Sequence, residues 1–293
     1  MSGAAVMLSP AARWRRLLWP PLIVSALLFG LPQAAFIWLS FHHDLGLGRV
    51  APELSVDNYL AIATDPFYLR SVGLTVLLAL EATAVGLIVG FPTAYALARL
   101  GNWIATTALG LILTTSLITI VIKLMGLNIL LGGSGLINAV LLAAGIIASP
   151  LKLLDNELGV VIGLVQYTLP LLILVLFGVV QTIPRHLEEA AEIHGATRAT
   201  IFARIILPLA APGLIGGGLL AFNMSMGAFT SPVALGGGHV LTMPVLIQQK
   251  VIQDSDYAMG AALSTALLVL VFAANVAIAL AAERLFGARV KAR

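Results

Sequence analysis

The chain has 293 residues, 60% of them hydrophobic and only 10% charged, with a mean hydropathy of +1.03. A soluble domain carries about a quarter of its residues as charges, so this composition requires an integral membrane protein. The net charge of +3 is too small for a nucleic-acid surface, and the absence of cysteine excludes disulfides, thiolate metal sites and cysteine nucleophiles. The apolar runs reach about 20 residues and do not alternate, which favours membrane helices over a β-barrel. The expected fold is all-α, with six transmembrane helices.

In chain order, residues 1–19 form a basic N-terminus containing Arg13, Arg15 and Arg16. Residues 20–282 are read as one membrane domain and 283–293 as a basic tail. The first apolar run, about Pro20 to Ser40, is too long for a signal peptide and lacks a small-residue cleavage site, so it reads as a retained first span. Residues 41–70 read as a polar loop. Span two covers about Ser71 to Ala98, and span three about Ile104 to Leu131.

Residues 136–154 are apolar, but only about 13 residues precede Ser149-Pro150, which is short for a bilayer. An extra span here would move the basic C-terminus to the outer side. With six spans, Arg99, Arg185, Arg198, Arg204, Arg284, Arg289, Lys291 and Arg293 join the N-terminal arginines on the cytoplasmic side. Only Arg49, Arg70, Lys152 and Lys250 lie outside, as the positive-inside rule demands. The segment is therefore expected to lie along the outer surface or to re-enter it. Span four runs from about Leu158 to Val180, span five from Gly213 to Leu235, and span six from Ala258 to Ala282.

Between spans four and five lies a charged island, residues 184–208, within IPRHLEEAAEIHGATRATIFARIILP. Proline tolerates a first helical turn, so Pro184 suits a helix start. Glu188, Glu189 and Glu192 sit in the early turns, where carboxylates complement the helix dipole. Gly195 accepts the left-handed conformation that ends such a helix. Thr197 can cap a second helix through Arg198–Leu207, which Pro208 is expected to stop.

The spacing Glu189-Ala190-Ala191, three residues, Gly195, nine residues, then Ile205-x-Leu207-Pro208 resembles the EAA loop of ABC-importer permeases. LITIVIKLMGLNILLGGSGLIN (117–138), GAFTSPVALGGG (227–238), QQKVIQ (248–253) and DYAMGAALS (256–264) are similar to spermidine/putrescine-type permeases. The resemblance covers about Asp57 to Leu285. It implies a permease of the bacterial inner membrane with both termini cytoplasmic. It also implies two ATP-binding subunits, a second permease that is a different chain, and an external solute-binding protein. ATPase coupling would fall on Glu188, Glu189, Ala190, Ala191, Ile193, Gly195, Ala196, Phe202 and Pro208. The chain has no GxxxxGK[ST] loop, so it binds no cofactor itself and is not an enzyme; ATP and magnesium belong to the partner ATPase.

Charges within spans are costly and mark candidate functional groups. Glu81 in span two and Lys123 in span three are such candidates for the solute path, with Asn223, Ser225, Met226, Phe229 and Thr230 in span five. Plainer readings stand beside these: Glu81 can pair with a polar neighbour or face the partner permease, Lys123 can snorkel to the interface, and Asn223 and Thr230 can serve helix packing. Gly216, Gly217, Gly218 and Gly227 are expected to permit close helix contact. The five histidines show no ligand spacing, so no metal site is expected. The resemblance points to a polyamine or a similar small cationic or amino-acid-like solute. The alternative is an ion-coupled secondary transporter using Glu81, although no internal repeat supports it.

Overall fold

The computed structural model describes residues 10–46, 48–101 and 103–290, with side chains described except at 10–17, 282–283 and 285–290. The outermost parts of both basic termini, and the side chains of Arg13, Arg15, Arg16 and Arg289, lie outside the described residues. The first crossing is α1 (Pro10–Ser25), a π-helical turn at Ala26–Gly30, and α2 (Leu31–Leu39). Its apolar side chains from Leu18 to Trp38 are exposed in the single chain.

The stretch expected as a plain polar loop is instead structured. It holds an antiparallel hairpin, β1 (His42–Asp44) and β2 (Val50–Leu54), followed by α3 (Asp57–Thr64). Tyr59 and Ser40 share a 2.6 Å hydrogen bond, and Asn58 donates to the Ser40 and His42 carbonyls. Those polar contacts tie the short elements together where a hydrophobic pattern is lacking.

The central element is α4 (Pro66–Leu100), whose first turn is capped by Asp65 accepting from the Phe67 amide at 2.8 Å. At 1.5 Å per residue it is about 52 Å long, well beyond a hydrocarbon core of about 30 Å. Its buried stripe places Ala82, Gly86, Gly90, Ala94 and Ala98 four residues apart. Small residues at this spacing let two helices approach closely in a membrane. The partner is α8 (Glu157–Gln181), and a Cβ at Gly86 would stand 3.2 Å from Leu172.

Span three does not form one helix. It is divided into α5 (Trp103–Leu117) and α6 (Ile120–Leu131), with Thr119 extended between them. Threonine competes for backbone hydrogen bonds, and the run Thr114–Thr119 contains three threonines and a serine. Ala105, Ala108 and Ile112 pack with the Arg99 end of α4, while α6 packs against α12 (Thr230–Leu235) near the opposite end. In this region the stretch long and apolar enough to cross a membrane is Ile120–Ala143, and Trp103–Leu117 is a shorter apolar helix, so the third span lies later in the chain than the sequence suggested.

The next segment turns at Gly132–Gly135 into α7 (Leu136–Ala143). Buried Asn138 donates to the Gly132 and Leu151 carbonyls and accepts from the Leu151 amide. These bonds fold 136–151 back on itself. Asn156 then caps α8 (Glu157–Gln181) through the Gly159 amide at 2.9 Å.

Beyond α8 come α9 (His186–Ile193) and α10 (Arg198–Ile201), a π-helical stretch at Phe202–Ile206, and α11 (Leu207–Met226). Pro208 does not stop the helix, contrary to the expectation from the sequence. The Leu207 amide bonds back to the Phe202 carbonyl, and this widened turn leads into the proline without breaking the rod. Span five accordingly begins near Arg198. It ends at Met226, because residues 227–229 interrupt it before α12 (Thr230–Leu235). After α13 (Met243–Gln248) and a π-helical turn at Gln249–Gln253, α14 (Tyr257–Val290) returns across the membrane.

Among the described residues, six helical stretches are long and apolar enough to cross a membrane. Of the glycines expected to admit close contact, Gly217 and Gly218 face Leu172 and Leu87, whereas Gly216 faces open space. A tighter approach is at Gly213, where a Cβ would collide with Val179 of α8.

Candidate functional site

The loop between α8 and α11 has the expected helix–turn–helix form. Gly195 adopts φ +79°, the left-handed conformation that other residues occupy at a cost. Thr197 caps the following helix by accepting from the Thr200 amide at 3.3 Å. Glu189, Ala190, Glu192 and Ile193 are exposed, and Ile193 is 85% exposed. Ala191 and Ala196 instead turn inward, packing against the hydrophobic core beside Ile183 and Ile201.

Glu188 is placed differently from Glu189. It reaches the end of α4, where its Oε1 accepts from Arg99 Nε at 2.6 Å and its Oε2 accepts from the Tyr95 hydroxyl at 2.7 Å. The Arg99–Glu188 pair is largely shielded, with side chains 16% and 14% exposed. Arg99 Nη2 also donates to the Ile183 carbonyl at 3.1 Å. In the reverse direction, Arg185 Nη2 donates to the Ala98 and Arg99 carbonyls at 3.2 and 3.3 Å. A helix leaves its last carbonyls unpaired, and an arginine there satisfies them. Phe202 packs its ring on Phe91 and Tyr95 at 5.2 and 5.4 Å between centroids. Tyr95, Arg99, Arg185, Glu188 and Arg198 border an open cleft of about 530 Å³.

The sequence reading missed Tyr95, Arg99 and Arg185 as members of this cluster. Charge alone had marked Arg99 as a span end. Its partner lies 89 residues away, and no local pattern announces such a pairing.

The path candidates do not converge in one cleft. Glu81 lies on the exposed face of α4, with Leu77, Ala84 and Ile88, and has no hydrogen bond or ion pair to another described residue. Lys123 is half-buried near the start of α6. Thr230 borders an apolar cleft with Leu124, Met125 and Asn128. Phe229 is exposed at the break before α12, Ser225 is buried, and Met226 packs with Ala79 and Phe222. Asn223 is engaged by Asn275 of α14, a partner the sequence reading did not single out.

Residues 83–291 match the family described as the binding-protein-dependent transport system inner membrane component. The chain belongs to this family. It is 32% identical over 239 residues to the spermidine/putrescine transport system permease protein PotB of Escherichia coli, covering 82% of this chain and 86% of that one. The PotB protein of Haemophilus influenzae is 30% identical over 240 residues, covering 82% and 84%. In fold, this permease is similar to a chain of a bacterial ABC transporter that imports the acidic polysaccharide alginate. The TM-score is 0.72 at 18% identity, over 93% of this chain and 96% of that one. The protein is thus an ABC-importer permease, a multi-pass component of the inner membrane. This membership decides against the ion-coupled alternative for Glu81.

Proposed function

We propose that this permease forms half of the path of an ATP-driven importer for a polyamine or a similar small cationic or amino-acid-like solute. In this reading α9 and the Gly195 turn form the cytoplasmic surface that receives an ATPase subunit, and both chain termini share that side. The observation that carries it is Ile193: an apolar side chain 85% exposed, bordered by Glu189, Glu192 and His194. An apolar centre with a polar rim is the usual build of a docking surface. One such loop per chain calls for a second permease and two ATPase subunits, which bind ATP and magnesium. An external binding protein delivers the solute.

The solute class rests on the names of the PotB relatives and on Glu81. An unpaired carboxylate midway along a membrane helix is too costly to face lipid, so Glu81 is assigned to the path shared with the second permease, where it meets a cationic solute.

The test is affinity purification of the tagged chain from native membranes in mild detergent, with a Gly195→Trp control. Recovery of an ATPase and a second permease, lost in the control, supports the reading. A chain that purifies alone and moves solute in ATP-free vesicles under an ion gradient overturns it.

A further inference from the structure

The sequence joins α9 only to α8 and α10, through the turns at 182–185 and 194–197. The folded chain adds a third attachment. Arg99 reaches from α4 to Glu188 and to the Ile183 carbonyl, while Arg185 reaches from the α8–α9 turn to the last carbonyls of α4. Tyr95 holds the second oxygen of Glu188, and the Arg99 guanidinium lies 5.8 Å from the Tyr95 ring centroid. Both oxygens of the carboxylate are therefore committed to α4. Among the described residues, no other ion pair has both partners this shielded.

We infer that Arg99, Glu188 and Tyr95 are positioning residues that make α9 and α4 one rigid body, so that a displacement of α9 is delivered along α4 into the membrane. The inference rests on the importer reading and extends it by naming the helix that carries the motion. A charged pair that is shielded and bonded on both oxygens holds its geometry far better than an exposed one. From Arg99 to Glu81 is 18 residues, about 27 Å of helix, roughly half the length of α4, so a displacement at the joint is carried to residues well inside the membrane.

Two measurements on the reconstituted complex, with its ATPase, second permease and binding protein, test this. The first is solute taken up per ATP hydrolysed for Arg99→Glu, Glu188→Arg and the double exchange. Each single variant is expected to keep hydrolysing ATP while the uptake-to-hydrolysis ratio falls by at least about fivefold, the lower end of usual inter-site coupling. The double exchange is expected to recover most of the ratio. Single variants with an unchanged ratio overturn the inference.

The second measurement serves if the charge variants fail to assemble. The chain has no cysteine, so spin labels at Ala96→Cys and His186→Cys report the α4–α9 distance without background. A single distance, unchanged between nucleotide-free and ATP-trapped complexes and broadened by Tyr95→Phe, supports a rigid body. A distance that changes on ATP trapping in the otherwise unmodified chain overturns it. If the unmodified complex shows no ATP-driven uptake, the importer reading fails instead, and the label distance in the chain alone still decides whether the two helices are fastened.

Discussion

Asn223 of α11 and Asn275 of α14 donate to one another, at 3.0 and 2.9 Å, and so close a reciprocal amide pair between two membrane helices. Asn275 also donates to the Val271 carbonyl one turn earlier. Replacing Asn223 with leucine leaves the Asn275 amide without its interhelical partner. The expected cost is about 0.6–1.7 kcal/mol, the range for such bonds in membranes. Replacing both with leucine is expected to restore stability, because neither side then carries an unpaired group. Thermal unfolding in one detergent across the four chains measures the difference.

Ile193→Asp should separate docking from folding. The side chain touches little of its own protein, so stability is expected to stay within about 0.5 kcal/mol. Losing a buried isoleucine from an interface removes about 1.5–3 kcal/mol, a weakening of about tenfold or more in ATPase binding. Titration of the purified ATPase against the two permeases reads it directly.

Glu81→Gln is expected to raise the KM for a polyamine while leaving the unfolding temperature unchanged or slightly higher, since a charge without a partner is removed. Uptake assays over a range of solute concentrations check this. An unchanged KM would remove Glu81 from the path.

Gly213 and Val179 form a size-matched contact. Gly213→Ala is expected to destabilise by about 1–3 kcal/mol through overpacking. Adding Val179→Ala should recover much of that loss, and the same unfolding assay tests the pair.

Lys250 and Asp254 lie one helical turn apart, with Nζ donating to Oδ2 at 2.9 Å. The hydrogen bond to Asp254 raises the Lys250 pKa above its ordinary 10.5, against the opposing effect of burial. The stabilisation is complete below pH 10.5 and is lost as pH rises through the higher folded-state value. It is expected to be small, about 0.3–0.5 kcal/mol for an exposed pair at this spacing. Asp254→Asn should flatten the change in unfolding temperature over that alkaline range.

The six crossings and the Gly195 turn were legible because each rests on local chemistry: apolar run length, a capping threonine, a residue tolerant of positive φ. The small-residue stripe from Ala82 to Ala98 was equally legible, since its four-residue repeat stands in the sequence, yet the span reading counted hydropathy and passed over it. The break at Thr119 and the passage through Pro208 were harder. Both depend on how neighbouring helices absorb unmet backbone groups, which hydropathy does not record. The cluster around Glu188 was beyond reach for another reason. Two adjacent glutamates in one helix look alike in sequence, and only the position of Arg99 on a distant helix decides which one turns inward.

The widened turn at Phe202–Ile206 sets the phase between the two halves of the rod it joins. An extra residue in one turn rotates everything downstream by about 100°, given 3.6 residues per turn. The loop's outward surface and the face of α11 that carries Gly213 and Gly217 are thereby oriented independently of each other. Deleting a single residue from this stretch would restore an ordinary helical pitch and turn those glycines away from α8. The two ends of the rod would then no longer address their neighbours.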